Sequence, residues 1–315
     1  MSMQGFVNIR KALNTLNPKQ IREMSERPVH VALYAGSQES YQRMENFFLR
    51  DLSPARRRQS AVLLTRAPMP VLAQQFDIAV YDEGIAAPPG VLIFQAERPH
   101  QLVRKALAQH PALGVPLAKA FLPFRRTFVE RVIAKTCREN TLFSVTTALP
   151  DIIPSVIELP WAVAEFASDT AFLTMNQVRM AFLIAAASDR EIGYLEQKSE
   201  IATVIGSAFG WRALARQLVG KIPFGGGLIA KAAVAYAGTK VLGLSLERLY
   251  SIGFTYTREE RDQLYAEAFR HGKKVAVRIL SYFRPDLSAK YADRDAQRTP
   301  VRRTRNPTLP NTSFS

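Results

Sequence analysis

The sequence predicts a small α/β domain over residues 29–122 followed by an all-α, apolar helical domain over residues 123–290. Three observations point there. Short β-favouring runs bounded by Pro, Gly or Asp recur as far as Phe94. From Pro123 onward they give way to long stretches of Ala, Leu, Phe and Ile, punctuated by Pro150, Pro154, Pro160, Gly193, Gly206, Gly210 and Gly225-Gly226-Gly227. With 315 residues, 47% of them hydrophobic and 22% charged, the chain has the length and apolar content for two cores.

Asn17-Pro18 opens a helix over Asn17–Arg27, because Asn caps free N–H groups and proline fits the first helical position. Pro28 closes it, making residues 1–28 an N-terminal helical segment. Val29–Ala35 is a compact strand run, Gly36-Ser37 a turn, and the spacing of Tyr41, Met44, Phe47 and Phe48 a helix. Buried strands follow at Ala61–Thr65, Phe76–Tyr81 and Gly90–Phe94, then a helix at Pro99–Gln109. The stretch between Asp82 and Gly90 is too short for a helical crossover between parallel strands, which predicts a truncated or rewired sheet.

Beyond the boundary near Leu122, Asp169–Ser188 is a predicted helix. Phe172, Met175, Arg179, Phe182 and Ala186 share one stripe and Leu173, Gln177, Met180 and Ile184 the next, so it is buried on several sides. Gly225–Gly227 reads as an apolar hairpin turn between two helices. Residues 291–315 are expected to be a disordered basic tail: from Arg298 on they hold Arg298, Arg302, Arg303 and Arg305, no acid and several prolines.

A strand, a glycine turn and a helix invite a nucleotide-binding reading, in which backbone N–H groups cradle phosphates and a lysine reaches the terminal ones. Here Ala35-Gly36-Ser37-Gln38-Glu39-Ser40-Tyr41-Gln42-Arg43 offers one glycine, an acid that repels phosphate, and Tyr41-Gln42 where Lys-Ser/Thr belongs. No Asn-Lys-x-Asp motif occurs. The α/β domain is therefore expected to be degenerate P-loop-like and non-catalytic, with Arg43 and Asp82 the candidates for any atypical phosphate site.

No metal site and no cofactor is expected. His30, His100, His110 and His271 lack metal-ligand spacing, and Cys137, the one cysteine, makes neither a zinc ribbon nor a disulfide. Its neighbours Lys135 and Arg138 would lower a thiol pKa, yet a structural thiol is the expectation. One cysteine, and no apolar core of signal length in Met1–Arg10, predict a cytoplasmic location. The longest uncharged runs, Gly84–Ala96 and Ala106–Ala118, fall short of the ~18 residues of a spanning helix.

Within Asn140–Phe254 four stretches are distinctive: Ala148-Leu149-Pro150-Asp151-Ile152-Ile153-Pro154, Phe172-Leu173-Thr174-Met175-Asn176-Gln177-Val178-Arg179-Met180, Ala208-Phe209-Gly210-Trp211-Arg212 and Ala235-Tyr236-Ala237-Gly238-Thr239. These resemble the domain-of-unknown-function family 697, a helical domain found behind Era-like GTPase domains and in bacterial membrane-associated proteins. The resemblance covers roughly a third of the chain. It implies that residues 29–122 stand where a GTPase domain would, as a pseudo-GTPase.

Asn176, Gln177 and Arg179, with Trp211 and Arg212, form a candidate polar seam in this region. Buried polar groups need partners, and Glu165, Asp169 or helix-end carbonyls are the expected ones. Such a seam either fixes helix packing or receives a partner or lipid headgroup.

The 42 Lys and Arg against 27 Asp and Glu give a net charge of +15, which attracts polyanions. The leading expectation is a non-catalytic adaptor associated peripherally with the inner face of a membrane, through the hairpin at Lys221–Gly253 and Arg298, Arg302, Arg303 and Arg305. A protein partner or homo-oligomer fits the same surface. A GTPase-like nucleotide-binding protein is the alternative. Nucleic acid ranks last, since Arg56-Arg57-Arg58 has no interleaved aromatics.

Overall fold

The computed structural model describes residues 16–67, 76–149, 169–204 and 226–289. Asn17 caps α1 (Pro18–Glu26), its side-chain oxygen accepting the Lys19 N–H at 3.0 Å, as the Asn-Pro pair predicts. A parallel four-stranded sheet follows, in the order β2 (Leu64–Arg66), β1 (Val31–Tyr34), β3 (Ile78–Asp82), β4 (Leu92–Phe94). All four residues of β1 are buried, which explains why its run is apolar without alternation.

On one face of the sheet Val31, Leu33, Val80, Leu92 and Phe94 pack with residues of α2 (Gln38–Phe48) and α4 (Pro99–Gln109), among them Met44, Phe48, Leu102 and Val103. On the other, Tyr34 and Tyr81 stack at 4.4 Å between ring centres, and Ala67, Phe76, Ile85, Ala87 and Val91 close over them. That cover comes from loops. The β3–β4 connection, too short for a helix, still joins two parallel strands; it turns with Gly90 at φ 85° and packs its own Ile85, Ala87 and Val91 on the sheet.

One local expectation shifts. The run from Ala61 begins a residue or more before strand pairing does, because α3 (Pro54–Ala61) occupies its start: Pro54 sets the first helical position after Ser53. The phenylalanines on either side of Leu122 serve the sheet, since α5 (Gly114–Ala120) leads through Phe121 into α6 (Leu122–Thr146). Phe121 and Phe124 reach the Phe48 ring, at 5.1 and 5.6 Å.

Farther along, α6 enters a second core with α7 (Asp169–Ala187) and α8 (Gly226–Ile252), contributing Val129, Ile133 and Cys137. Met175, Val178, Ala181, Phe182 and Ala185 of α7 are all buried, the all-round burial its two apolar stripes predict. The buried hydroxyls of Thr136, Thr141 and Ser144 on α6 donate to carbonyls four residues earlier, so a polar run lies inside without orphaned groups.

Close approach fixes the last two contacts. A side chain on Gly243 would meet Ile133 Cγ1 of α6 at 2.7 Å, and one on Gly272 of α9 (Arg258–Phe283) would meet Tyr236 Cβ of α8 at 2.9 Å. The α8 segment Gly227–Ile252 is long and apolar enough to cross a membrane, although its most apolar window is 67% buried within the protein. Counting uncharged runs overlooks it because Lys231 and Lys240 interrupt the helix.

Candidate functional site

The carboxyl ends of β1 and β3 flank the position where open α/β sheets bind ligands. Here that position is closed from within. Ile85 lies against Gly36, so near that a Cβ there would come within 2.9 Å of Ile85 Cγ2. At the start of α2, Ser37 Oγ accepts the Ser40 N–H at 3.0 Å while Ser37 N–H reaches Ser40 Oγ at 3.3 Å, so two of the donors a phosphate would seek are already taken. Arg43 lies 3.8 Å from Glu39, both exposed, and Asp82 is buried at the end of β3.

Three of the five predicted seam residues converge between α6, α7 and α8. Asn176 donates through Nδ2 to Asn140 Oδ1 at 2.9 Å and to Glu139 Oε2 at 3.1 Å. Asn140 Nδ2 and Gln177 Nε2 both donate to Thr239 Oγ1, at 2.8 and 3.0 Å. Burial holds the Arg179 guanidinium below its ordinary value, and the nearby Glu139 carboxylate draws it back up. Lys135 adds a cation 3.8 Å from Glu139.

The described partners of Asn176 and Gln177 are side chains of α6 and α8, while Glu165 and the Asp169 side chain, two of the expected partners, lie outside the described residues. Glu165, Trp211 and Arg212, like Arg298, Arg302, Arg303 and Arg305, lie outside the described residues. Sequence reading missed Asn140 and Thr239. The available signal was Thr136, Asn140 and Ser144 at intervals of four, a polar row on one face of an otherwise apolar helix. Among the described residues, the seam leaves Thr174 Oγ1 and Gln177 Oε1 buried without a hydrogen-bond partner.

Cys137 is buried in the same core, its Sγ 3.7 Å from the Tyr236 carbonyl. Burial pushes its thiol up to about 12, against the opposing pull of Lys240 and Arg138. The basic neighbours seen in the sequence thus do not make a thiolate. No group of three or more His, Cys, Asp or Glu is placed to hold a metal ion among the described residues.

The Arg56-Arg57-Arg58 run is divided by the fold. Arg56 donates to the Lys119 carbonyl at 3.1 Å and pairs with Asp189 at 3.2 Å, while Arg57 donates to Asn46 Oδ1 at 2.7 Å. Asp189, at φ 56°, ends α7 and is also 3.6 Å from Lys119, so the ion pairs tie α3 and α5 to that turn. Burial and the neighbouring Arg56 lower Arg125 to about 10.

A basic surface stands instead on α9. Its acids, Glu259, Glu260, Asp262 and Glu267, lie in the first half, where Thr257 and Glu260 form a reciprocal cap. From Phe269 to Phe283 it carries Arg270, Lys273, Lys274 and Arg278 and no acid. Ala268, Gly272, Ala276 and Leu280 are buried, whereas Arg270, Lys274, Arg278 and Tyr282 follow one another at intervals of four on the exposed side. Tyr282 is 84% exposed. The helix dipole favours cations only in the last turn, so it does not account for Arg270 and Lys274.

No family model, curated protein or solved structure matches this chain.

Proposed function

We propose that this protein is a non-catalytic adaptor held at the anionic inner face of a membrane by electrostatic contact, with a P-loop-like α/β domain that has lost its nucleotide chemistry. The observation that carries the reading is the exposed row Arg270, Lys274, Arg278 and Tyr282 on α9: three cations on one face, ending in an aromatic of the kind that settles at lipid headgroups. The resemblance to family 697 agrees with such a location. Ile85 against Gly36 and the closed Ser37–Ser40 cap speak against nucleotide as a ligand.

Each Lys or Arg close to an anionic surface contributes about 1 kcal/mol, so replacing Arg270, Lys274 and Arg278 together by Ala removes about 3 kcal/mol, or roughly a hundredfold in affinity. The test is cosedimentation with vesicles of phosphatidylserine and phosphatidylcholine. Binding that disappears in neutral vesicles, at high salt and in the triple variant is expected. Equal binding by the triple variant contradicts the reading, and saturable GTP or ATP binding at millimolar concentration restores the nucleotide alternative.

A further inference from the structure

The outer face of α9 changes sign along its length. At about 100° per residue, Glu259, Gln263, Glu267, Arg270, Lys274 and Arg278 share an arc of roughly 100°, on the side away from the buried Ala268, Gly272, Ala276 and Leu280. All six are exposed. Arg258 and Arg261, the cations of the first half, lie roughly 140–160° away from Lys274, so they do not blunt the acidic end of this face.

About a point between Ala268 and Phe269, every residue of the face has a counterpart of fitting chemistry at equal distance: Glu267 and Arg270, Gln263 and Lys274, Glu259 and Arg278. One helix alone cannot use this match, since Glu259 and Arg278 are about 29 Å apart along its axis. Among the described residues none of the five charged side chains has an ion-pair partner. The helix dipole accounts for Glu259 in the first turn, but for neither Glu267 nor Arg270 in the middle.

We infer that this face pairs with itself: two copies of the chain associate through α9, antiparallel about a two-fold axis between residues 268 and 269. Glu267 then meets the partner's Arg270, Glu259 meets the partner's Arg278, and the Gln263 amide oxygen accepts from the partner's Lys274. Two-fold symmetry makes each contact twice. A parallel pair would set like charges opposite one another at every position but Gln263, so charge fixes direction as well as register. With no large apolar side chain among the six, the pair is weak and salt-sensitive. The net charge of +15 on each copy opposes association, but screening over about 8 Å at physiological salt leaves the facing side chains to decide. The pairing does not rest on membrane association, although it engages the same cations: the pair is the form in solution, and the single chain the form that meets lipid.

Sedimentation velocity of the full chain, without lipid, at low and high salt tests it. A monomer–dimer equilibrium that shifts to monomer at high salt is expected. Glu267→Arg alone and Arg270→Glu alone each put like charges at two contacts, and each should weaken the dimer at least tenfold, the equivalent of about 1.4 kcal/mol. Both substitutions in one chain restore opposite charges at those contacts and should restore the dimer, a rescue that only this antiparallel register predicts. Circular dichroism of each variant separates lost pairing from lost folding. No association up to millimolar concentration at low salt overturns the inference, as does a double variant that pairs no better than the single ones. Vesicle binding by a chain that never dimerises would sink this inference alone, whereas a rescued dimer that ignores anionic vesicles would sink only the membrane reading.

Discussion

Thr239 is the junction of the polar seam, and replacing it by Val isolates what the seam contributes. Val matches Thr in shape, so no cavity opens, but two buried amide donors lose their acceptor at once: Asn140 Nδ2, at 2.8 Å, and Gln177 Nε2, at 3.0 Å. An unsatisfied buried donor costs about 1–3 kcal/mol, and two together about 2–4 kcal/mol once partial relaxation is allowed. Against a total stability of about 5–15 kcal/mol that is a large share. In urea unfolding followed by circular dichroism, a slope of about 2 kcal/mol/M turns it into a midpoint lowered by about 1–2 M. Gln177→Leu in the same chain removes one orphaned donor and the unpaired Oε1 as well, so the double variant should lose less than the sum of its parts, by about 1 kcal/mol. An unmoved midpoint for Thr239→Val, or strictly additive losses, would refute the assignment of the seam as a packing network.

Three further outcomes follow from particular contacts. Gly243→Ala drives a methyl to 2.7 Å from Ile133 Cγ1, which should destabilise the protein by about 1–3 kcal/mol in the same assay, and Ile133→Ala in the same chain should relieve part of the clash. Cys137 should resist a thiol-exchange reagent at pH 8 in the native state and react once urea unfolds the chain; rapid native reaction would contradict its burial. Glu247 binds its proton more tightly in the folded state than in the unfolded, because burial and then Glu130 raise its pKa, with Arg126 and Lys240 opposing. The folded state thus holds the extra proton, and stability falls as pH rises from the ordinary carboxylate value through the raised one. Glu247→Gln should therefore raise the urea midpoint at pH 7 and have no such effect near about pH 3.5, where both states are protonated.

Local rules carried well wherever one residue type dictates one conformation. Asn17-Pro18 placed α1, and the Pro99–Gln109 periodicity placed α4 at its observed ends. The apolar stripes of Asp169–Ser188 placed α7, observed over Asp169–Ala187, and foretold its burial. What was hidden depended on partners distant in sequence. That Ile85 would lie on Gly36, or that Asn140 would bridge Asn176 and Thr239, follows from the way three helices and a sheet come together and leaves no mark on either segment alone. The α9 surface was legible in part, in the separation of its acids from its cations. Which side faces outward needed α8, whose Tyr236 and Ala233 take the Gly272 side.

Electrostatic contact, and not insertion, is the mode of membrane association we propose. Fractionation of the expressed protein into soluble and membrane pools, with a high-salt wash followed by a carbonate wash, tests it most directly. Release of the membrane pool by salt, and its absence when Arg270, Lys274 and Arg278 are all Ala, is the predicted result. Retention through carbonate would mean that the apolar helix Gly227–Ile252 leaves its packed position for lipid, and a pool that is soluble throughout would contradict membrane association.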